Sequence, residues 1–137
     1  MTLQHFSTVL FRERHLLELL LFKLEEEDLL LEAGRTRWLT HASREVETVL
    51  DELAKVELAR AAALAAAGPE IGVGDAVTLA EVVEAAPAPW DGIFAEHQQV
   101  LQRLSAQVLQ MAASNRAQLR QGYEVIRTAL TAAAAGT

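Results

Sequence analysis

Four histidines, His5, His15, His41 and His97, are the side chains best suited to metal binding or proton transfer in this chain. A carboxylate-bridged di-metal centre in a helical bundle needs a glutamate three residues before its ligating histidines. Thr2, Arg12, Trp38 and Phe94 stand there instead. His41 and Glu45 are four apart and share a helix face. They have the spacing to bridge one adventitious ion, but a solvated pair explains them as well. His97 falls on an apolar beat and reads as a partly buried seam residue. Ser7, Ser43, Ser105 and Ser114 lie inside helical patterns without the glycine elbow of a serine nucleophile. There are 0 cysteines, hence no thiol nucleophile and no zinc–thiolate site. Gly72-Val73-Gly74 lacks the lysine and helix start of a phosphate loop. The carboxylates of 25–28 are contiguous, so they point around a helix instead of converging. No catalytic constellation emerges, and no enzyme, metal or cofactor is expected.

The elements that carry these residues are helical. The chain has 137 residues, enough for one domain, with 51% hydrophobic and 23% charged residues. Its formal net charge is -7, which opposes binding to nucleic-acid phosphates. The most apolar run, Leu16 to Leu24, contains Glu18 and Lys23 and is far shorter than the about 20 residues of a membrane span. No export signal is visible, and a cytoplasmic protein is expected.

The first helix is predicted over about 3–32. Leu3, Phe6, Leu10, Leu17, Leu20, Leu24 and Leu31 recur at steps of three and four, with Glu13 and Glu27 on the missing beats. Leu16, Leu19, Leu21, Phe22, Leu29 and Leu30 widen the stripe so far that more than one neighbour must cover it. Gly34 is read as a turn in preference to a kink. A second helix follows over about 36–67 on the seam Leu39, Ala42, Val46, Val49, Leu53 and Val56, completing a helical hairpin over 3–67. Residues 68–90 read as a loop and a short helix, opened by the capping box Thr78 to Glu81 and closed by Pro87 and Pro89, with Trp90 anchoring the connector. A last helix over 91–135 carries Phe94, Leu101, Leu104, Val108, Met111, Leu119, Tyr123, Ile126 and Leu130, with Gly122 as its weak point. The predicted fold is all-α: an antiparallel bundle of three long helices with one short connector helix, forming a single domain over 1–137. Five acids in 25–32 face a last helix with Arg103, Arg116, Arg120 and Arg127, a complementary arrangement that biases orientation.

Two features admit two readings. Asn115, on the apolar seam of the last helix, either fixes register or offers hydrogen bonds to a partner's backbone. Arg35, Arg37 and Trp38 form either a recognition patch at the hairpin tip or a cap on the core, with the arginines balancing the acids of 25–32.

The layout resembles the FlgN family, the flagellar type III export chaperones for hook-associated (hook–filament junction) proteins. The resemblance rests on three stretches: Leu10-Phe11-Arg12-Glu13-Arg14-His15-Leu16-Leu17-Glu18-Leu19-Leu20, Leu29 through Gly34-Arg35-Thr36-Arg37-Trp38-Leu39, and Ser114-Asn115-Arg116-Ala117-Gln118-Leu119. The Arg-Glu-Arg and Gly-Arg-Thr-Arg-Trp pieces look like the actinobacterial branch. Family members often carry a second asparagine where this chain has Ala112. The resemblance implies a cytoplasmic, non-enzymatic chaperone without a cofactor. It would hold the C-terminal segment of a hook-associated protein before secretion and deliver it to the flagellar export apparatus. By position, it implies client binding by Asn115, Leu119, Tyr123, Ile126 and Leu130. No nucleic acid and no membrane span enter this reading, and self-association stays open. Judged without the resemblance, the residues also fit a coiled-coil adaptor or self-associating scaffold with no secretion client.

Overall fold

The computed structural model describes residues 2–74 and 78–135, the side chains of 122–127, 129–130 and 133–135 excepted. It is an all-α bundle. Helix α1 spans Thr2–Glu32, α2 Thr36–Ala67, α3 Leu79–Ala85 and α4 Trp90–Ala135, and a 3-10 turn at Gly68–Ile71 follows α2. The three long helices run up, down and up. Glu13 pairs with Arg60 and Glu27 with Ser43, so α2 is antiparallel to α1. Ser7 pairs with His97 and Asp28 with Gln118, so α4 is parallel to α1. Helix α1 is the shared member, and both α2 and α4 pack along it.

The local chemistry explains the breaks. Gly34 has φ 68, in the left-handed region that glycine enters without penalty. The Arg35 N–H reaches the Leu30 carbonyl at 2.9 Å and the Gly34 N–H reaches Leu31 at 3.2 Å. These two bonds form a Schellman stop, so Gly34 turns the chain and does not kink it. At α3 the Thr78 hydroxyl accepts the Glu81 N–H at 3.3 Å. The Glu81 carboxylate comes back only as far as that hydroxyl, at 3.5 Å. Helix α4 begins at Trp90, and its backbone continues through Gly122 without a break.

The core has two parts. Near the chain start, Phe6 and Phe94 stack at 5.3 Å and Trp90 lies on Phe94 at 5.8 Å. Leu3, Leu10, Val56 and Val82 close around them, with α3 as the lid. Toward the hairpin tip, Leu20 and Leu24 meet Val49 and Leu53, with Val108 and Met111 partly buried against them.

Candidate functional site

The separation of 90 residues holds both for Ser7 and His97 and for Asp28 and Gln118. Helix α4 therefore keeps a constant offset from α1 over most of its length. The same offset sets Gly122 level with Glu32, where α1 ends. The α4 backbone continues to Ala135, about 20 Å beyond that level.

Just below this overhang a polar node ties the three long helices together. The Asn115 amide donates to the Leu24 carbonyl at 2.8 Å and to Glu27 Oε1 at 3.0 Å. The Ser43 hydroxyl donates to Glu27 Oε2 at 2.9 Å. Breaking the i to i−4 ladder is unnecessary, because a carbonyl has a second lone pair that the amide can use. Glu27, on a missing apolar beat of α1, thus accepts one bond from each flanking helix. Asn115 is 1% exposed, and its Oδ1 is buried with no hydrogen-bond partner. Its donors fix register, the first of the two readings. One turn on, Leu119 is 38% exposed on the same stripe. The side chains of Tyr123, Ile126 and Leu130, the rest of the expected client-binding set, lie outside the described residues.

Beside the node, Gln118 donates to Asp28 at 2.9 Å. A groove of ≈ 350 Å³ between α1 and α4 is lined there by Leu21, Glu25, Glu32, Met111 and Ser114, among others. These bonds are neutral-to-charged contacts. Among the described residues no ion pair joins α1 to α4; every ion pair involves α2. Among the described residues the expected charge match makes no direct ion pair, and Arg103, Arg116 and Arg120 are exposed; the Arg127 side chain lies outside the described residues.

Two polar residues at the other end were only partly legible. His97 is fully buried, deeper than expected. Arg14 can only donate, so its 3.2 Å bond makes His97 Nδ1 the acceptor and leaves the proton on Nε2, which faces Ser7 Oγ at 3.0 Å. Burial, with the Arg14 charge second, lowers the His97 pKa to about 4, so the ring is neutral at physiological pH. Glu13, the other missing beat of α1, is buried and held by Arg60 Nη1, which lies 2.9 Å from each carboxylate oxygen. Burial raises its pKa, and Arg60 opposes the rise. Both groups are buried between helices, and both read as internal ties. Among the described residues no group of three or more His, Cys, Asp or Glu side chains is arranged to hold a metal ion.

The hairpin tip differs from its core-capping reading. Trp38 is half exposed and belongs to neither core cluster. Arg37 lies over its ring at 4.7 Å and His41 packs beside it at 5.7 Å. A buried Trp38 would need an apolar neighbour beyond the tip, and the turn at Gly34 supplies none. Glu45 accepts from Lys23 at 2.7 Å, and that bond is the main cause of its lowered pKa, with His41, its expected neighbour on the helix face, acting in the same direction.

Taken together, these features describe a small acidic helical bundle in which Glu27, Ser43 and Asn115 tie the three long helices together and the α4 backbone runs past the end of α1. The chain belongs to the FlgN family: residues 1–135 match the family model described as FlgN protein. FlgN is a family of flagellar export chaperones, and this chain is one by family membership. No curated protein and no solved structure matches it. Among the described residues no helix is long and apolar enough to cross a membrane.

Proposed function

We propose that this chain is the chaperone of hook-associated (hook–filament junction) proteins, acting in the cytoplasm before type III secretion. It holds the C-terminal segment of its client and delivers it to the export apparatus. The client lies along the distal stripe of α4, formed by Leu119, Tyr123, Ile126 and Leu130, with Asn115 at its root. The observation that carries this reading is the register of α4. The backbone runs about 20 Å past the end of α1, and its sequence keeps an apolar side chain every three or four residues over that length. An apolar helix face without an intramolecular neighbour is a docking face for a second amphipathic helix. Asn115 contributes from inside. By fixing α4 on Leu24 and Glu27, it sets which residues of the stripe project beyond the tip.

The client segment orders as it binds, which lowers affinity per unit of buried area and favours release at the export machinery. Binding needs no cofactor and no bond chemistry. Calorimetric titration of a purified hook-associated protein into the full-length chain and into Leu119→Asp and Ile126→Asp tests the site. Each substitution is expected to weaken binding by about tenfold or more, the effect of placing a charge in an apolar seam. Unchanged affinity in both variants moves the site off α4.

A further inference from the structure

The first turns of α2 run against the chemistry that stabilises a helix start. A helix N-terminus carries positive partial charge and N–H groups without partners, which favours acidic side chains and a Ser, Thr, Asp or Asn cap. Here the N-cap position is Arg35, which makes no side-chain cap bond, and the first turn has no acid. No Asp or Glu stands between Glu32 and Glu45, whereas Arg35, Arg37 and Arg44 do. All three arginines are exposed, and none forms an ion pair among the described residues. Glu45, the first carboxylate after them, is taken by Lys23. Every other cation of the hairpin is engaged, with a carboxylate or, for Arg14, with His97.

Trp38 adds apolar area at the same place. Its ring is 46% exposed, with Arg37 over it and His41 beside it. Arg37 and Arg44 lie on the opposite side of α2 from Val46, which packs against the aliphatic core cluster. The charges and the ring therefore project outward, along about 14 Å of helix from Arg35 to Arg44. Arginines at the positive end of a helix and a tryptophan in water each lower stability, and the stacking of Arg37 on Trp38 offsets only part of this. Local choices that oppose stability at one place mark a surface kept for recognition, and Arg and Trp are the side chains that anchor interfaces. We propose that the hairpin tip is a second recognition surface, for an acidic segment of a partner protein that sets carboxylates on Arg35, Arg37 and Arg44 and an apolar side chain on the Trp38 ring. Guanidinium groups take carboxylates in paired, charge-assisted bonds, and the indole takes an aliphatic or aromatic neighbour. An extended polyanion, whether lipid surface or nucleic acid, also meets the five acids of 25–32 and the net charge of -7, whereas a short acidic segment meets the arginines alone. The proposal does not rest on the client site, since α4 forms no part of it.

Fluorescence anisotropy of a labelled short peptide of glutamate and leucine, titrated with the full-length chain, tests it against the same peptide with glutamine in place of glutamate. The acidic peptide is expected to bind with an affinity that falls as salt is raised, and the glutamine peptide to bind far more weakly. Arg37→Glu and Trp38→Ala are each expected to weaken binding by about tenfold or more. Arg116→Glu, at an exposed site of α4, is expected to leave it unchanged. Arg35→Asp separates recognition from folding: it supplies the missing cap and suits the helix dipole, so the thermal unfolding midpoint rises while peptide binding weakens by about tenfold. Equal binding of the two peptides, or none of the acidic one, overturns the proposal. So does an affinity indifferent to Arg37→Glu and Trp38→Ala, or one lost only in Arg116→Glu, which places acid recognition on α4. A lowered midpoint in Arg35→Asp makes Arg35 a structural residue, and tighter Arg37-dependent binding to phosphatidylserine vesicles makes the tip a lipid contact; either result overturns it as well.

Discussion

The two ends of this bundle solve the same packing problem with different chemistry. At the end near the chain start, aromatic rings supply the volume: Trp90, Phe94 and Phe6 stack in sequence, and α3 closes over them. The polar groups there are His97, held by Arg14 and Ser7, and Glu13, held by Arg60. At the tip the apolar cluster is smaller and aliphatic, and Glu27 gathers α2 and α4 through Ser43 and Asn115. Area burial is non-directional and gives stability. A buried network of directed bonds specifies position, and it costs desolvation to do so. The chain therefore places its stability at the closed end and its positional control at the end from which α4 projects.

The comparison breaks if truncating the aromatic stack is cheap. Phe94→Ala removes a fully buried ring and is expected to cost about 3–5 kcal/mol in chemical denaturation. Next comes pH. Unfolded His97 takes up a proton near 6.5, and folded His97 does so only at about 4. Between those values the unfolded state binds more protons, so stability falls as pH is lowered through the window, by up to about 3 kcal/mol. In His97→Gln that portion of the pH dependence is expected to vanish; an unchanged slope assigns it to other groups. Asn115→Leu leaves the Glu27 carboxylate short of a donor and is expected to cost about 1–3 kcal/mol. That variant sharpens the comparison, because its loss is expected with a shift in the protection of distal α4, whereas Phe94→Ala destabilises the whole bundle. The smallest effect belongs to Leu119→Asp: within about 0.5 kcal/mol in stability, since the site is a surface one, despite its expected effect on client binding.

Much of this was legible in the residues. Helix boundaries followed from apolar steps of three and four. The turn followed from Gly34 between two such runs, and the α3 cap from Thr78 and Glu81. Glu13 and Glu27 were visible as gaps in an otherwise apolar stripe. Their partners were not, because Arg60 and Ser43 lie across a hairpin whose register only the packed helices define. The width of the α1 stripe also showed in the sequence, as a demand for several neighbours. Periodicity measures how much surface is apolar without saying who covers it, and α2 and α4 leave Phe22 and Leu29 open. Trp38 misled for a similar reason. Composition places a tryptophan near a helix end, whereas its burial depends on a neighbour that the tight turn at Gly34 does not supply.

The central claim is that distal α4 is surplus to the bundle and available to a client. Hydrogen exchange on the full-length chain, followed over residues 116–135 with and without a purified hook-associated protein, tests it most directly. The account predicts fast exchange in that stretch for dilute free chaperone, against slow exchange around Phe94, and marked protection of 116–135 when client is added. Strong protection of 116–135 in the dilute free chain, or no gain on saturating it with client, contradicts the claim.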